Sequence, residues 1–245
     1  MVKASYDPQV NAQAIYQEGS QFKPIIVLTA TTDIMINTIS YGNEEFLIGG
    51  QNTTSFPMIL LYRNGSMINL GNQIPSTAQY VFSSCFLNGS YYIGGSSLNN
   101  VPLLLKVDSR NLTVTDMSGV ANTIGSGDIY ALTGFGDQLF IGGYHQGAAS
   151  SGPLLFILNL DNDQVIDLSG YLPQSFGQVL SISYNSGVLL VTGVYEDVLL
   201  NLTNHNYSLI AVPQGTLADL SSAPFGDGFL TVGSSLRGGQ LLYIG

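Results

Sequence analysis

Tyr91-Tyr92-Ile93-Gly94-Gly95 is the stretch on which the fold turns. It is an apolar strand closed by two glycines, and it recurs. Phe46-Leu47-Ile48-Gly49-Gly50 precedes it and Leu139-Phe140-Ile141-Gly142-Gly143 follows it. Leu189-Leu190-Val191-Thr192-Gly193 and Phe229-Leu230-Thr231-Val232-Gly233 are degenerate copies. Successive copies are 45, 48, 50 and 40 residues apart. A period of about 40 to 50 residues belongs to propeller blades or to helical repeats.

The texture around each copy chooses between the two. In the second unit residues 80–86 form an apolar run, Asn88-Gly89 a hairpin turn and 91–93 a second run. A loop at 96–101 ends at Pro102, residues 103–107 form a third run, 108–111 turn, and 112–116 form a fourth. The third unit repeats this at 129–133, 139–141, 154–158 and 164–168. Asn-Gly accepts the positive φ that a tight hairpin needs. Runs this short, bounded by Gly, Asn, Asp and Pro, are strands. No apolar pattern at i, i+3, i+4, i+7 persists over three turns. The fold class is therefore all-β, a β-propeller of four-stranded blades.

The first strands align without gaps. One column reads Thr38, Ser83, Ala131, Ser181, Ser221, and the next but one reads Ser40, Cys85, Thr133, Ser183, Ala223. Small residues suit a crowded centre, and Cys85, the one cysteine, falls in this series as a packed residue and not a nucleophile.

An apolar strand ending in Gly-Gly, a variable loop, a strand ending near Asp and a fourth strand resemble the kelch repeat. Leu105-Lys106-Val107-Asp108 and Asn159-Leu160-Asp161 supply the Asp-ended strands. Kelch fourth strands usually carry Trp, whereas these carry Leu112, Val114, Val165 and Ile166. The resemblance implies a kelch-like propeller and is nearly silent on function.

Counting gives five units, near 33–75, 76–122, 123–174, 175–214 and 215–245. The last lacks a fourth strand. Residues 20–32 resemble one, so the expectation is five blades closed by the N-terminal segment, which removes an open sheet edge. Residues 1–19 are then a lead-in with a possible extra strand, and 20–245 a single domain. A longer parent with more blades is the alternative.

Composition narrows the partners. Of 245 residues 9% are charged, with Lys+Arg 6 against Asp+Glu 16 and a net charge of −10. Nucleic acid would need basic patches to neutralise phosphate, so it is excluded. No stretch is long and apolar enough to span a bilayer as a helix, and Met1-Val2-Lys3 leads into polar residues with no signal peptide. Six Asn-x-Ser/Thr sequons stand at Asn52, Asn64, Asn88, Asn111, Asn201 and Asn206. With scarce Lys and abundant Ser, Thr and Asn they point to an extracellular or cell-surface glycoprotein. The composition resembles that of surface proteins of acidophilic archaea. A fold leaning on few ionised carboxylates loses little when acid protonates them.

Chemistry is sparse. His145 and His205 lie 60 residues apart with no ligand-spaced partners, so no metal and no cofactor is expected. Gly-x-Ser-x-Gly and Gly-x-Gly-x-x-Gly are absent from the sequence. Asp128 and Asp219 stand in inner-strand columns, Asp219 beside Ile36, Val81, Ile129 and Val179, and Asp33 lies just outside. A buried charge is costly unless paired. These three are the catalytic candidates for an alternative reading, a secreted glycan-active hydrolase using carboxylates near the central channel. The plainer reading makes them caps for loop amides. Without Trp, Tyr faces would stack a sugar, and Tyr144, Tyr171 and Tyr195 lie in or beside loops.

The favoured reading is a non-catalytic binding domain for a protein or glycan; a structural or viral surface module is an outsider. Four of the sequons map to one end of the blades. The long loops 51–56, 96–101, 144–152 and 234–239 map to the other. Variable loops on a rigid scaffold carry binding. The expected contact residues are Tyr144, His145, Tyr195 and Arg237.

Overall fold

The computed structural model describes residues 2–7, 11–18, 21–27, 34–52, 56–146, 151–202, 208–211, 218–235 and 238–244. Among them six antiparallel sheets follow one another along the chain. The first holds β1 (Val2–Asp7), β2 (Asn11–Glu18) and β3 (Gln21–Val27). The second holds β4 (Ile34–Gly42), β5 (Glu45–Asn52), β6 (Pro57–Arg63) and β7 (Ser66–Asn69). The third holds β8 (Ala78–Leu87), β9 (Ser90–Ser97), β10 (Val101–Asp108) and β11 (Val114–Asp116). The fourth holds β12 (Gly127–Phe135), β13 (Gln138–Gln146), β14 (Ser151–Asn159) and β15 (Val165–Asp167). The fifth holds β16 (Val179–Asn185), β17 (Val188–Gly193), β18 (Asp197–Asn201) and β19 (Ser208–Ala211). The last holds β20 (Ala218–Phe225), β21 (Gly228–Ser235) and β22 (Gly238–Ile244).

Strand order within every sheet is chain order, and first strands pack on first strands: β4 on β8, β8 on β12, β12 on β16, β16 on β20. This is the inner-strand stacking of a β-propeller. The four runs read from residues 80–116 and 129–168 are four strands each, as the sequence texture requires.

The closure differs from expectation. β3 pairs with β2, and among the described residues the sheet of β22 contains β20, β21 and β22 alone. The N-terminal strands are thus in a sheet of their own, and the stretch read as a lead-in with an extra strand holds two of them, Val2–Asp7 and Asn11–Glu18. The mostly polar β1 gave little hydrophobic signal, yet its backbone satisfies one edge of β2 from Val2 opposite Tyr16 to Asp7 opposite Asn11.

The glycine pair has two separate physical causes. The first glycine is a socket for the next sheet. A Cβ at Gly49 would lie 2.7 Å from Val81 Cγ1 of β8, and Ile129 and Val179 press in the same way on Gly94 and Gly142. Val81, Ile129 and Val179 are all fully buried there. The second glycine serves its own sheet: a Cβ at Gly50, Gly95 or Gly143 would run into the carbonyl of Met35, Tyr80 or Asp128. That close approach accompanies a one-residue bulge. The register slips between Ile36 and Thr38, Val81 and Ser83, Ile129 and Ala131, Val179 and Ser181, and Asp219 and Ser221. The bulged residues are therefore Asn37, Phe82, Tyr130, Leu180 and Leu220.

In the fifth sheet Thr192, buried, replaces the first glycine, and Asp219 replaces the aliphatic residue in the next inner strand. The two departures fall at matched repeat positions.

Between inner strands the contacts are polar or apolar by sequence. Ser84 of β8 lies 2.8 Å from Thr38 Oγ1 and donates to Ser40 Oγ at 3.0 Å. Ser222 of β20 lies 2.9 Å from Ser181 Oγ and 2.8 Å from Ser183 Oγ. At the equivalent place in β12 and β16 stand Leu132 and Ile182, and no such hydroxyl bridge forms there among the described residues. Cys85 packs with the cluster of Tyr92, Leu104, Ile129 and Leu132, and burial pushes its thiol up to about 12, far from a nucleophile's range.

A short motif after the fourth strand, overlooked in the sequence, closes three sheets. In Asp116-Met117-Ser118 the Asp116 carboxylate accepts from Ser118 N at 2.9 Å, Met117 N donates to Leu104 O at 2.8 Å and Ser118 Oγ accepts from Leu104 N at 3.1 Å. Asp167-Leu168-Ser169 repeats this against Leu155. Asn69-Leu70-Gly71 repeats the first two bonds, onto Ile59.

Candidate functional site

Each sheet presents two ends. Turns between first and second strands, and between third and fourth, lie at one; second-to-third loops and the links between sheets lie at the other. They are called here the turn end and the loop end.

The turn end is tied together. Arg63 at the end of β6 forms a two-pronged ion pair with Glu45, Nε to Oε1 at 2.5 Å and a second nitrogen to Oε2 at 3.0 Å, and also donates to Ser109 O. The Glu45 contact, its hydrogen bond foremost, raises the Arg63 pKa further. Tyr91 Oη, buried, sits 2.7 Å from Gly42 O, and desolvation moves its phenol well above the ordinary range. Asn88 Nδ2 donates to Gly136 O and to Asp137 Oδ1, both at 2.9 Å, and Asn185 Nδ2 donates to Gly226 O and Gly228 O. These bonds link one sheet's hairpin to the next. Exposed rings at this end also have neighbours: Tyr41 lies 4.8 Å from Phe46, Phe135 stacks on Tyr184 at 4.4 Å, and Tyr243 donates to Asp227 at 2.7 Å.

The loop end differs in its exposed apolar groups and, from β4 onward among the described residues, in its lack of cations; carboxylates stand at both ends. Phe56 and Tyr195 are 66% and 67% exposed, and Met35, Leu98 and Tyr171 are also exposed in loops and strand starts at this end. Asp116, Asp128, Asp167, Glu196, Asp197 and Asp219 belong to this end. From β4 onward the described Lys and Arg residues are Arg63, Lys106 and Arg110, and all three sit toward the turn end.

Of the expected contact residues, Tyr144 and His145 close β13, opposite Asp128 and Gly127 of β12. His145 is half-buried; its Nδ1 lies 2.8 Å from Ser126 O and its ring packs on Gly125. It therefore anchors the link before β12. Gln146 N reinforces that anchor, donating to Ser126 O at 3.0 Å. Tyr195 stands in the neighbouring sheet's loop, over Gly177, next to Glu196, which accepts from Ser175 Oγ at 2.5 Å. Arg237 and the loop residues 147–150 lie outside the described residues.

The three carboxylate candidates are not assembled by what is described. Asp128 accepts from the Tyr130 hydroxyl at 2.9 Å, and among the described residues no loop amide donates to it. Asp219 is in β20, with β16 between it and the strand of Asp128, and Asp33 lies outside the described residues. Burial first, then the bond to Asp128, push the Tyr130 phenol above its ordinary range. Among the described residues no three His, Cys, Asp or Glu side chains are placed to hold a metal ion.

Sequence reading missed an aromatic row at the loop-end half of the inner strands. Tyr80 stacks on Phe82 at 5.8 Å between centroids and 18° between planes, and Phe82 meets Tyr130 across the β8–β12 boundary at 5.1 Å. Tyr130 then reaches Asp128. All four are half-buried. Two of them, Phe82 and Tyr130, are bulge residues, which explains their presentation: a bulge turns one side chain out of the alternation that packs sheet on sheet. The signal was present in the aligned first strands, where Phe82 and Tyr130 break the run of small and aliphatic columns.

Among the sequons, Asn64 and Asn111 are exposed on turn-end hairpins. Asn88 is exposed too, but its amide nitrogen is engaged as described above. Asn52 Oδ1 accepts from Phe56 N at 2.9 Å, Asn201 ends β18, and Asn206 lies outside the described residues.

No family model matches the chain, and no curated protein matches it. Solved structures do. A chain in the crystal structure of a nidogen/laminin complex superposes with a TM-score of 0.66 at 10% identity, over 96% of this chain and 89% of that one. The Pan2 WD40 domain of Neurospora crassa superposes with a TM-score of 0.61 at 13% identity, over 94% of this chain and 69% of that one. Both are β-propellers, and at these identities the likeness is one of fold. No helix among the described residues is long and apolar enough to cross a membrane.

Proposed function

We propose that this chain is a non-catalytic propeller domain of an extracellular or cell-surface protein that binds a partner through its loop end. The observation that carries the reading is the asymmetry of the two ends. The turn-end rings Tyr41, Phe135 and Tyr243 have ring or hydrogen-bond partners and the Asn88 and Asn185 amides tie sheet to sheet, while Phe56, Leu98 and Tyr195 are displayed from loops on a rigid scaffold. Large apolar groups exposed at one end of a rigid scaffold suit an interaction surface. A protein is the favoured partner and a glycan the alternative; one of the two similar propellers was solved in a nidogen/laminin complex. The extracellular location is supported by the six sequons and the shortage of lysine.

The test is site-specific photo-crosslinking on intact cells. A photoreactive phenylalanine replaces Phe56 or Tyr195 at the loop end, or Tyr41 or Phe135 at the turn end, one at a time. The expected result is a discrete adduct from the first pair alone, removed by deleting residues 147–150 while melting shifts by no more than about 2–4 °C, equivalent to about 1 kcal/mol. Adducts confined to the turn-end positions would overturn the reading. Protection of the chain from protease added to intact cells would overturn the location.

A further inference from the structure

The row Tyr80–Phe82–Tyr130–Asp128 lies beside the main inter-sheet packing, which runs through Val81, Ile129 and the glycine sockets, and it bridges the same β8–β12 boundary with half-buried rings. We propose that this row seats a protonated side chain, lysine or arginine, presented by the protein partner. The inference rests on the loop-end reading above and names the partner's chemistry.

Three observations converge. First, the rings form a continuous half-buried surface across two sheets, 5.8 Å and then 5.1 Å from centroid to centroid. A cation lies favourably over such faces, more so where water is partly excluded. Second, a carboxylate ends the row. Tyr130 Oη donates to Asp128 Oδ2, and among the described residues Oδ1 accepts no hydrogen bond, which leaves it to receive an ammonium or guanidinium. Third, the protein does not supply the cation from β4 onward among its described residues. Arg63, Lys106 and Arg110 are toward the opposite end, and Lys106 already lies over Tyr92, 5.9 Å from its centroid. The surrounding end is acidic within a chain of net charge −10, so a basic partner is drawn to it and an acidic one repelled. A sugar fits less well. The row offers one carboxylate rather than the set of hydrogen-bonding groups that sugar hydroxyls would need.

Acetyl-lysine-amide and its uncharged counterpart acetyl-norleucine-amide are titrated into the whole chain with isotope-labelled aromatic rings, read by nuclear magnetic resonance. The lysine probe is expected to shift Phe82, Tyr80 and Tyr130 and to leave Tyr41 and Phe135 unmoved, with norleucine shifting none. Asp128→Asn and Phe82→Leu should each weaken the lysine probe about three- to tenfold. Tyr80→Leu serves in place of either variant that fails to fold. Equal shifts with both probes would identify an apolar crevice, equal shifts at the turn-end rings would identify diffuse charge attraction, and no shift would show an empty row; each overturns the proposal. Failure of the crosslinks at Phe56 and Tyr195 with lysine binding intact would sink the loop-end reading and leave this row standing. The converse would do the opposite.

Discussion

Replacing Gly94 with alanine should destabilise the protein in a way that one substitution in the next sheet relieves. The added Cβ would lie 2.7 Å from Ser83 Oγ and closer still to the Ile129 side chain, which is fully buried. Overpacking of this kind costs about 1–3 kcal/mol. Ile129→Ala empties the same socket and alone costs about 2–5 kcal/mol. In the double variant the alanine methyl fills part of the space that isoleucine vacated. The two losses should therefore fall short of additivity by about 1–2 kcal/mol, within the range for side chains in contact. Gly95→Ala is the control. Its Cβ would meet the Tyr80 carbonyl, a backbone group, so it should cost about 3 kcal/mol or more and gain nothing from Ile129→Ala. Equilibrium urea unfolding, followed by tyrosine fluorescence and circular dichroism with coincident transitions, reads all of these. Additivity of Gly94→Ala with Ile129→Ala to within about 0.5 kcal/mol would refute the socket. Rescue of Gly95→Ala by Ile129→Ala would refute the division of labour between the two glycines.

At low pH, Asp108 is held below its ordinary range chiefly by the Asn111 amide and Asp227 chiefly by the Tyr243 hydroxyl. Carboxylates with depressed values lend stability above pH ~4 that is lost as pH falls through the folded value. Both are fully exposed, so near-ultraviolet circular dichroism should persist at pH 3, and its loss between pH 5 and 3 would count against an apolar-packed fold. At high pH the sign reverses. Burial raises Tyr92 to about 12, and Tyr91 and Tyr130 are raised as well. Their contribution is complete below the unfolded value near 10 and falls as pH rises through the folded values, so urea midpoints should drop from pH 10 upward. Where N-glycosylation machinery acts on the folded chain, Asn64 and Asn111 should be occupied and Asn88 not, because a glycan on Asn88 Nδ2 displaces the bonds to Gly136 and Asp137; peptide mapping by mass spectrometry reads this directly. Asn88→Ala should lower the melting temperature more than Asn64→Ala, since both have positive φ in their turns but only the first ties two sheets together.

The repeat, the four-strand texture and the inner-strand columns were legible from residues 46–50, 91–95 and 139–143 because they are local. A strand's alternation, an Asn-Gly hairpin and a Gly-Gly ending are written within about ten residues, and recurrence multiplies the signal. Other features were decided only by the tertiary structure. Gln21–Val27 pairs with Asn11–Glu18, which pairs in turn with the mostly polar Val2–Asp7, and these pairings use backbone groups that every sequence carries. His145, which reads as a loop residue, is fixed by a carbonyl 19 residues away. Tyr80, Phe82, Tyr130 and Asp128 are spread over 51 positions of sequence and become neighbours because β8 packs on β12 and each strand bulges at the same step. Hydrophobic pattern states which side chains leave water. Which of them meet, and which are turned toward a partner, is set by sheet stacking and by one-residue slips in register, and those follow from contacts between residues far apart in the chain.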